Sequence, residues 1–188
     1  MLNRVRKWHA IDRTIGKSGW DELVDRTMEA SEAFHEKIKT IPDGADNTKL
    51  GNIMKIRDIV AHVSDMNFAV GSIIERLASE EMITYKVDSL FKGAGRASWA
   101  EVVEEHIESR LWIEEAVEHP VSSLRKTPHH LYGPMSARQW LALVINHYAY
   151  HSEQLDRIMA SPAYQTAVET AAMMDDTRKQ FPRKRGLL

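Results

Sequence analysis

Mostly apolar residues recur at alternating four- and three-residue steps near the end of the chain. The set is Ala137, Leu141, Val144, Tyr148, His151, Leu155 and Ile158. Such a repeat keeps returning to one side of an α-helix, and it is typical of helices that pack lengthwise against other helices. It therefore predicts a long helix with one buried face, which constrains the fold more than any other feature of this sequence.

Three earlier segments have the same kind of helical spacing. They cover residues 18–41, 50–79 and 98–118, and each places apolar side chains three or four positions apart. Sequence signals for helix ends agree with these limits, because a capping box favours a helix start, whereas proline and glycine favour a stop. The signals are Ile41-Pro42-Asp43-Gly44, Ser98-Trp99-Ala100-Glu101, His119-Pro120 and Ser136-Ala137-Arg138-Gln139.

Strand signals are almost absent, so we expect an all-α domain built as a four-helix bundle. Residues 18–160 would form the bundle, after an N-terminal extension of residues 1–17. Residues 161–188 would add a short C-terminal helix, predicted over 162–178, and a basic tail. The irregular segment 80–97 is long enough to serve as a crossover connection at the end of the bundle.

Composition excludes several classes of function. A formal charge of −2 argues against nucleic acid as the main partner, because nucleic-acid-binding proteins usually carry a strong basic surplus. The 188 residues include no cysteine, which excludes disulfides, iron–sulfur sites and a protein thiol nucleophile. No run approaches the ~20 apolar residues that a membrane span needs, and no apolar run follows the basic N-terminus as in a secretory signal. We expect a cytoplasmic protein.

Two histidines, His147 and His151, stand four residues apart on the last bundle helix. This spacing places them about 40° apart around the helix and about 6 Å apart along it. Two imidazoles in this arrangement can bind one metal ion, and without cysteine every protein ligand must supply nitrogen or oxygen. A buried His151 that binds no metal would instead need a carboxylate or a carbonyl as its partner.

A third ligand would have to come from another helix. His62 is the best candidate, because it lies on an apolar face of the segment 50–79. His106 is a rival on the apolar face of the segment 98–118. His129 and His130 precede a turn, and we expect both at the surface.

A carboxylate near the ligands could accept a proton. Asp65 is about 300° further around its helix than His62, and therefore about 60° from the direction of His62. Glu153 is angled away from the buried face of its own helix. Asp65 is therefore the candidate catalytic residue.

Two motifs resemble the DinB-like superfamily of metalloproteins. Met135-Ser136-Ala137-Arg138-Gln139-Trp140-Leu141, followed by His147-xxx-His151-xx-Gln154-Leu155, is similar to the last bundle helix of that family. Arg57-Asp58-Ile59-Val60-Ala61-His62-Val63 resembles its second-helix motif, which carries the first metal-binding histidine. The resemblance covers about residues 18–160.

The resemblance implies a DinB-like four-helix bundle with helices in the order up-up-down-down. It also implies a divalent metal, zinc or nickel, on His62, His147 and His151, and a homodimer. Characterised relatives include S-transferases and isomerases that use a low-molecular-weight thiol. The expected function is thus a metal-dependent enzyme, such as a thiol-dependent S-transferase, acting on a small electrophilic substrate.

Two alternatives stay open from the sequence. A metal-hydroxide hydrolase would use the same three histidines, with Asp65 as a proton acceptor. A non-enzymatic metal- or ligand-binding stress protein would need a closed four-ligand shell or no metal, and His106 or His130 would be the first candidates for a fourth ligand.

Overall fold

The structure is a computed structural model that describes residues 2–79, 98–119, 121, 125–129 and 131–180, with side chains from residue 9 to residue 177. Within these ranges the chain is mostly helical, so the all-α prediction is confirmed, and its strands form only a small two-stranded sheet. The elements are α1 (Leu2–Ile15), α2 (Trp20–Lys39), α3 (Ile56–Ala78), α4 (Trp99–Val117), β1 (Lys126–His129), β2 (Gly133–Ser136), α5 (Ala137–Met159) and α6 (Pro162–Gln180).

Local capping chemistry fixes two of the helix starts as predicted. The Ser98 hydroxyl accepts a hydrogen bond from the Glu101 amide (3.2 Å), and the Glu101 carboxylate accepts one from the Ser98 amide (2.8 Å). The same reciprocal pair opens α5 at Ser136 and Gln139. Each box satisfies amides that a helix start would otherwise leave unpaired.

Other boundaries differ from the prediction. Helix α3 begins at Ile56 rather than near residue 50, because residues 51–53 form a turn and the Ile56 amide bonds back to the Thr48 carbonyl (3.1 Å). Helix α6 occupies its predicted place, but it has 19 residues, as many as α4, and is therefore not short.

The contacts between helices give their relative directions. Asn67 on α3 contacts Ser109 on α4, and about one turn further along both helices Gly71 lies against Trp112. These two consecutive helices are therefore parallel. Helices α2 and α5 are also parallel, because their contacts advance from Ser31–Tyr148 to Lys37–Asp156. Helices α2 and α4 are antiparallel, because Ser31 contacts Arg110, whereas Ile41, two residues after the end of α2, contacts Trp99 at the start of α4.

The directions along the chain are therefore up for α2, down for α3 and α4, and up for α5. This differs from the expected up-up-down-down order. The predicted crossover connection over 80–97 lies outside the described residues.

Helix α1 and the two strands were not predicted. Helix α1 lies within the supposed extension and packs on α5, where the Thr14 hydroxyl bonds to the Asn146 side chain (2.9 Å) and Ile11 is buried. Strands β1 and β2 form an antiparallel hairpin directly before α5, with Lys126 opposite Ser136.

The core lies where the four-helix packing predicts it. All seven positions of the α5 repeat, from Ala137 to Ile158, are buried. Helix α3 is the most buried helix and packs against both α4 and α5. In the described part of the chain, no helix has both the length and the apolar character required to cross a membrane.

Candidate metal centre

His62 on α3 meets His147 and His151 on α5 across the interface of the two helices. The Nε2 atom of His147 lies 3.0 Å from Nε2 of His62 and 3.1 Å from Nε2 of His151. One ligand nitrogen from each ring lies within 4.8 Å of the other two. The structure thus brings together the three histidines that the sequence predicted as ligands.

The ring orientations exclude simple stacking. The planes of the three rings make mutual angles of 61°, 76° and 72°, with centroids 4.4–5.1 Å apart. Rings at such steep angles present nitrogen edges to one another. The three Nε2 atoms therefore point into one shared space between the helices.

Hydrogen bonding among the rings cannot satisfy this arrangement. The Nε2 atom of His147 contacts two other nitrogens, but a neutral imidazole nitrogen offers either one proton or one lone pair. One of the two short contacts of this atom, with His62 or with His151, therefore cannot be a hydrogen bond. A shared cation would accept the lone pairs of all three nitrogens and remove this conflict.

The spacing also fits a bound ion. Zinc–nitrogen bonds of about 2.0–2.1 Å, at angles between about 90° and 109°, place ligand nitrogens about 2.9–3.4 Å apart. The two short contacts of His147 fall in that range. Three neutral nitrogen donors without thiolate suit zinc, nickel or a similar divalent ion.

Burial favours the neutral form of two of these histidines. It lowers the pKa of His151 to about 4, and the neighbouring His62 acts in the same direction. Burial also lowers the pKa of His62, although the negative charge of Asp65 partly opposes this change. Both rings are consequently neutral near pH 7, the state in which imidazole binds a metal.

Asp65 lies one helical turn after His62 and is only 7% exposed. Its charge acts on the His62 ring, so the carboxylate is electrostatically part of the site. Glu153, the carboxylate judged less suitable from the sequence, is exposed to solvent.

Gln154 also contacts the site, although the sequence reasoning assigned it no role. Its Oε1 atom accepts a hydrogen bond of 2.8 Å from Nδ1 of His151. The signal in the sequence was the i,i+3 spacing, which places the two side chains one turn apart on the same helix face.

A buried polar cluster lies directly beside the histidines and was also missed. The Asn67 amide group donates to the hydroxyl oxygens of Ser109 (3.1 Å) and Tyr148 (2.7 Å), and the Tyr148 hydroxyl donates to Ser31 (3.1 Å). These contacts join all four bundle helices. The available signal was Asn67 itself, a polar residue in an otherwise apolar helix face.

Among the described residues, none of the other histidines joins the three ligands. His106, the rival ligand, is buried beside α2, with its ring stacked 5.9 Å from that of His35. His129 is buried rather than exposed, because its ring packs against the rings of Tyr132 and Trp140. Its Nδ1 atom also accepts hydrogen bonds from the amides of Leu131 and Tyr132. His130 lies outside the described residues.

No family model, curated protein or solved structure matches this chain. The DinB-like resemblance therefore depends on the two histidine motifs and stays a prediction.

Proposed function

We propose that this protein is a divalent-metal-dependent enzyme of the DinB-like type, which joins a low-molecular-weight thiol to a small electrophilic molecule. The observation that carries the proposal is the convergence of three imidazole nitrogens from two helices. His62, His147 and His151 would hold zinc or nickel. Three protein ligands leave a coordination position for an incoming molecule, as in catalytic rather than structural zinc sites.

A divalent ion in this place supplies Lewis acidity, which removes the proton of a bound thiol or lowers the pKa of a bound water. The chain has no cysteine, so the attacking sulfur must come from a cosubstrate. In the proposed reaction the sulfur forms a bond to the electrophilic carbon, and the bond from that carbon to its leaving group breaks. The leaving group takes the bonding pair.

Asp65 is the proposed acceptor of the thiol proton. It is the buried carboxylate whose charge reaches the His62 ring. The balance of the reaction does not depend on this assignment, because solvent or buffer can accept the same proton.

Metal binding is the first test. The purified protein should contain close to one zinc or nickel ion per chain after incubation with the metal and removal of the excess. His62→Ala and His147→Ala should lose that stoichiometric metal, whereas His119→Ala, at an exposed position of the described chain, should keep it. Retention of stoichiometric metal by both site variants would exclude this centre.

The reaction is tested by thiol consumption with a model electrophile, such as a chlorodinitrobenzene. We expect metal-dependent turnover that needs the thiol and falls at least about 100-fold in the double variant His147→Ala/His151→Ala. Circular dichroism checks that the variant is folded. Turnover that needs metal but no thiol would replace this proposal with the hydrolase alternative. Stoichiometric metal without turnover over a panel of thiols and electrophiles would replace it with the binding-protein alternative.

A further inference from the structure

Both ring nitrogens of His151 have defined neighbours. Nδ1 lies 2.8 Å from Oε1 of Gln154, and Nε2 lies 3.1 Å from Nε2 of His147. The ring is 3% exposed, so water does not compete strongly for either nitrogen. The contact with Gln154 therefore has a direct effect on where the ring proton resides.

An amide oxygen can only accept a hydrogen bond. The Nδ1 atom of His151 must then carry the proton of the neutral ring, which leaves Nε2 with a free lone pair. That lone pair is directed at the space shared with His62 and His147. The opposite tautomer would place a proton on Nε2 and block it as a ligand.

We propose that Gln154 is a positioning residue that holds His151 in the Nδ1-protonated tautomer and thereby sets the metal affinity of the site. The inference rests on the proposed metal centre and adds a residue that acts on it through His151. Hydrogen-bond partners of this kind orient metal-binding histidines, and their loss typically weakens metal binding by about 10- to 100-fold.

The tautomer is measured without any metal. In metal-free protein with ¹⁵N-labelled histidine, near neutral pH, the NMR shifts of His151 should identify Nδ1 as protonated and Nε2 as unprotonated. Gln154→Leu removes the acceptor at nearly the same size, and it should remove this preference. Gln154→Glu offers an oxygen at the same place, and it should restore the native pattern.

Metal affinity is the second measurement, by competition for zinc with a chelating dye. Gln154→Leu should bind zinc about 10- to 100-fold more weakly than the native protein. Gln154→Glu should bind at least as tightly as the native protein, because it keeps the hydrogen bond and adds a negative charge. Gln165→Leu is the matched control, because Gln165 is exposed on α6 and bonds to the Met159 carbonyl. Its affinity should not change.

The outcomes separate this inference from the proposed function. Zinc binding by the native protein and equally tight binding by a folded Gln154→Leu variant would overturn the positioning role alone. A native His151 with its proton on Nε2 would do the same. A native protein that binds neither zinc nor nickel would overturn the proposed function and the affinity claim together.

Discussion

The side-chain amide of Asn67 donates a 2.7 Å hydrogen bond to the hydroxyl of Tyr148, so α3 and α5 are tied together immediately beside the three histidines. Tyr148 follows His147 directly in the chain and precedes His151 by less than one turn. Its hydroxyl also donates to Ser31, which connects the same point to α2. The alignment of His62 with the two histidines of α5 therefore depends partly on this buried polar contact.

Tyr148→Phe should destabilise the fold by about 1–3 kcal/mol, because it leaves the buried Asn67 amide with one lost partner. Urea unfolding measures this change. The neighbouring Tyr150→Phe is the matched control, because Tyr150 is exposed on the same helix, and its free energy of unfolding should stay within about 0.5 kcal/mol of the native value. Equal stabilities for the two variants would contradict the assigned importance of the contact.

Gly71→Ala should destabilise the protein despite the better helix propensity of alanine. A Cβ atom at position 71 would lie 2.4 Å from Cδ1 of Trp112 and 3.4 Å from the Trp112 carbonyl oxygen. Overpacking of this kind costs about 1–3 kcal/mol, which exceeds the gain of about 1 kcal/mol in propensity.

The sign should reverse once the indole is removed. In a Trp112→Ala background, Gly71→Ala should become neutral or stabilising, because only the propensity gain is left. Chemical unfolding of the two single variants and the double variant gives the comparison. Purely additive effects would show that the close packing of α3 on α4 does not decide the outcome.

Stability should fall in acid partly because of His106. Burial lowers the pKa of this ring to about 3, and His35 and Arg110 act in the same direction. Between about pH 6.5 and pH 3 the unfolded chain binds a proton at this position and the folded chain does not, so the free energy of unfolding rises with pH.

His106→Leu should remove up to about 1.4 kcal/mol per pH unit from that slope near pH 5. Urea unfolding at several values from pH 7 to pH 4.5 measures it. Other buried histidines, such as His151, also have a lowered pKa, so part of the pH dependence of stability should remain in this variant. An unchanged slope in His106→Leu would contradict the prediction, and the exposed control His119→Leu should retain the native slope.

The predicted homodimer should use the outer face of α4. Ile107, Leu111 and Trp112 lie on this helix with 41%, 59% and 41% of their surface exposed. Contiguous exposed apolar side chains mark association surfaces more often than isolated ones do. Leu111→Lys should therefore shift a dimer to a monomer in sedimentation experiments. The control Met173→Lys alters the exposed face of α6 and should leave the mass unchanged, and a native monomer would contradict the prediction.

Local chemistry explains why most helix limits were predictable. The capping boxes at Ser98 and Ser136 and the proline at position 162 act within a few residues, so the sequence carries the whole signal. The hairpin was missed because each strand has four residues and contains a proline, Pro128 or Pro134. Its formation depends on pairing across the turn that His129 organises.

The α5 half of the metal centre follows from helix geometry alone, because His147 and His151 are separated by four residues. The choice between His62 and His106 does not follow, because both lie on apolar helix faces. It depends on which neighbour each face meets: His62 faces α5, whereas His106 stacks on His35 of α2. Spacing within one helix contains no information on that pairing.

The 85 residues that separate His62 from His147 make the order of biosynthesis relevant to the metal. During translation, α3 leaves the ribosome long before α5, so the three nitrogens are available together only after α5 has also emerged. An ion bound by all three rings can therefore be captured only after α5 has been synthesised and has packed against α3. The metal ions available in the cell at that moment would then determine which ion the protein acquires.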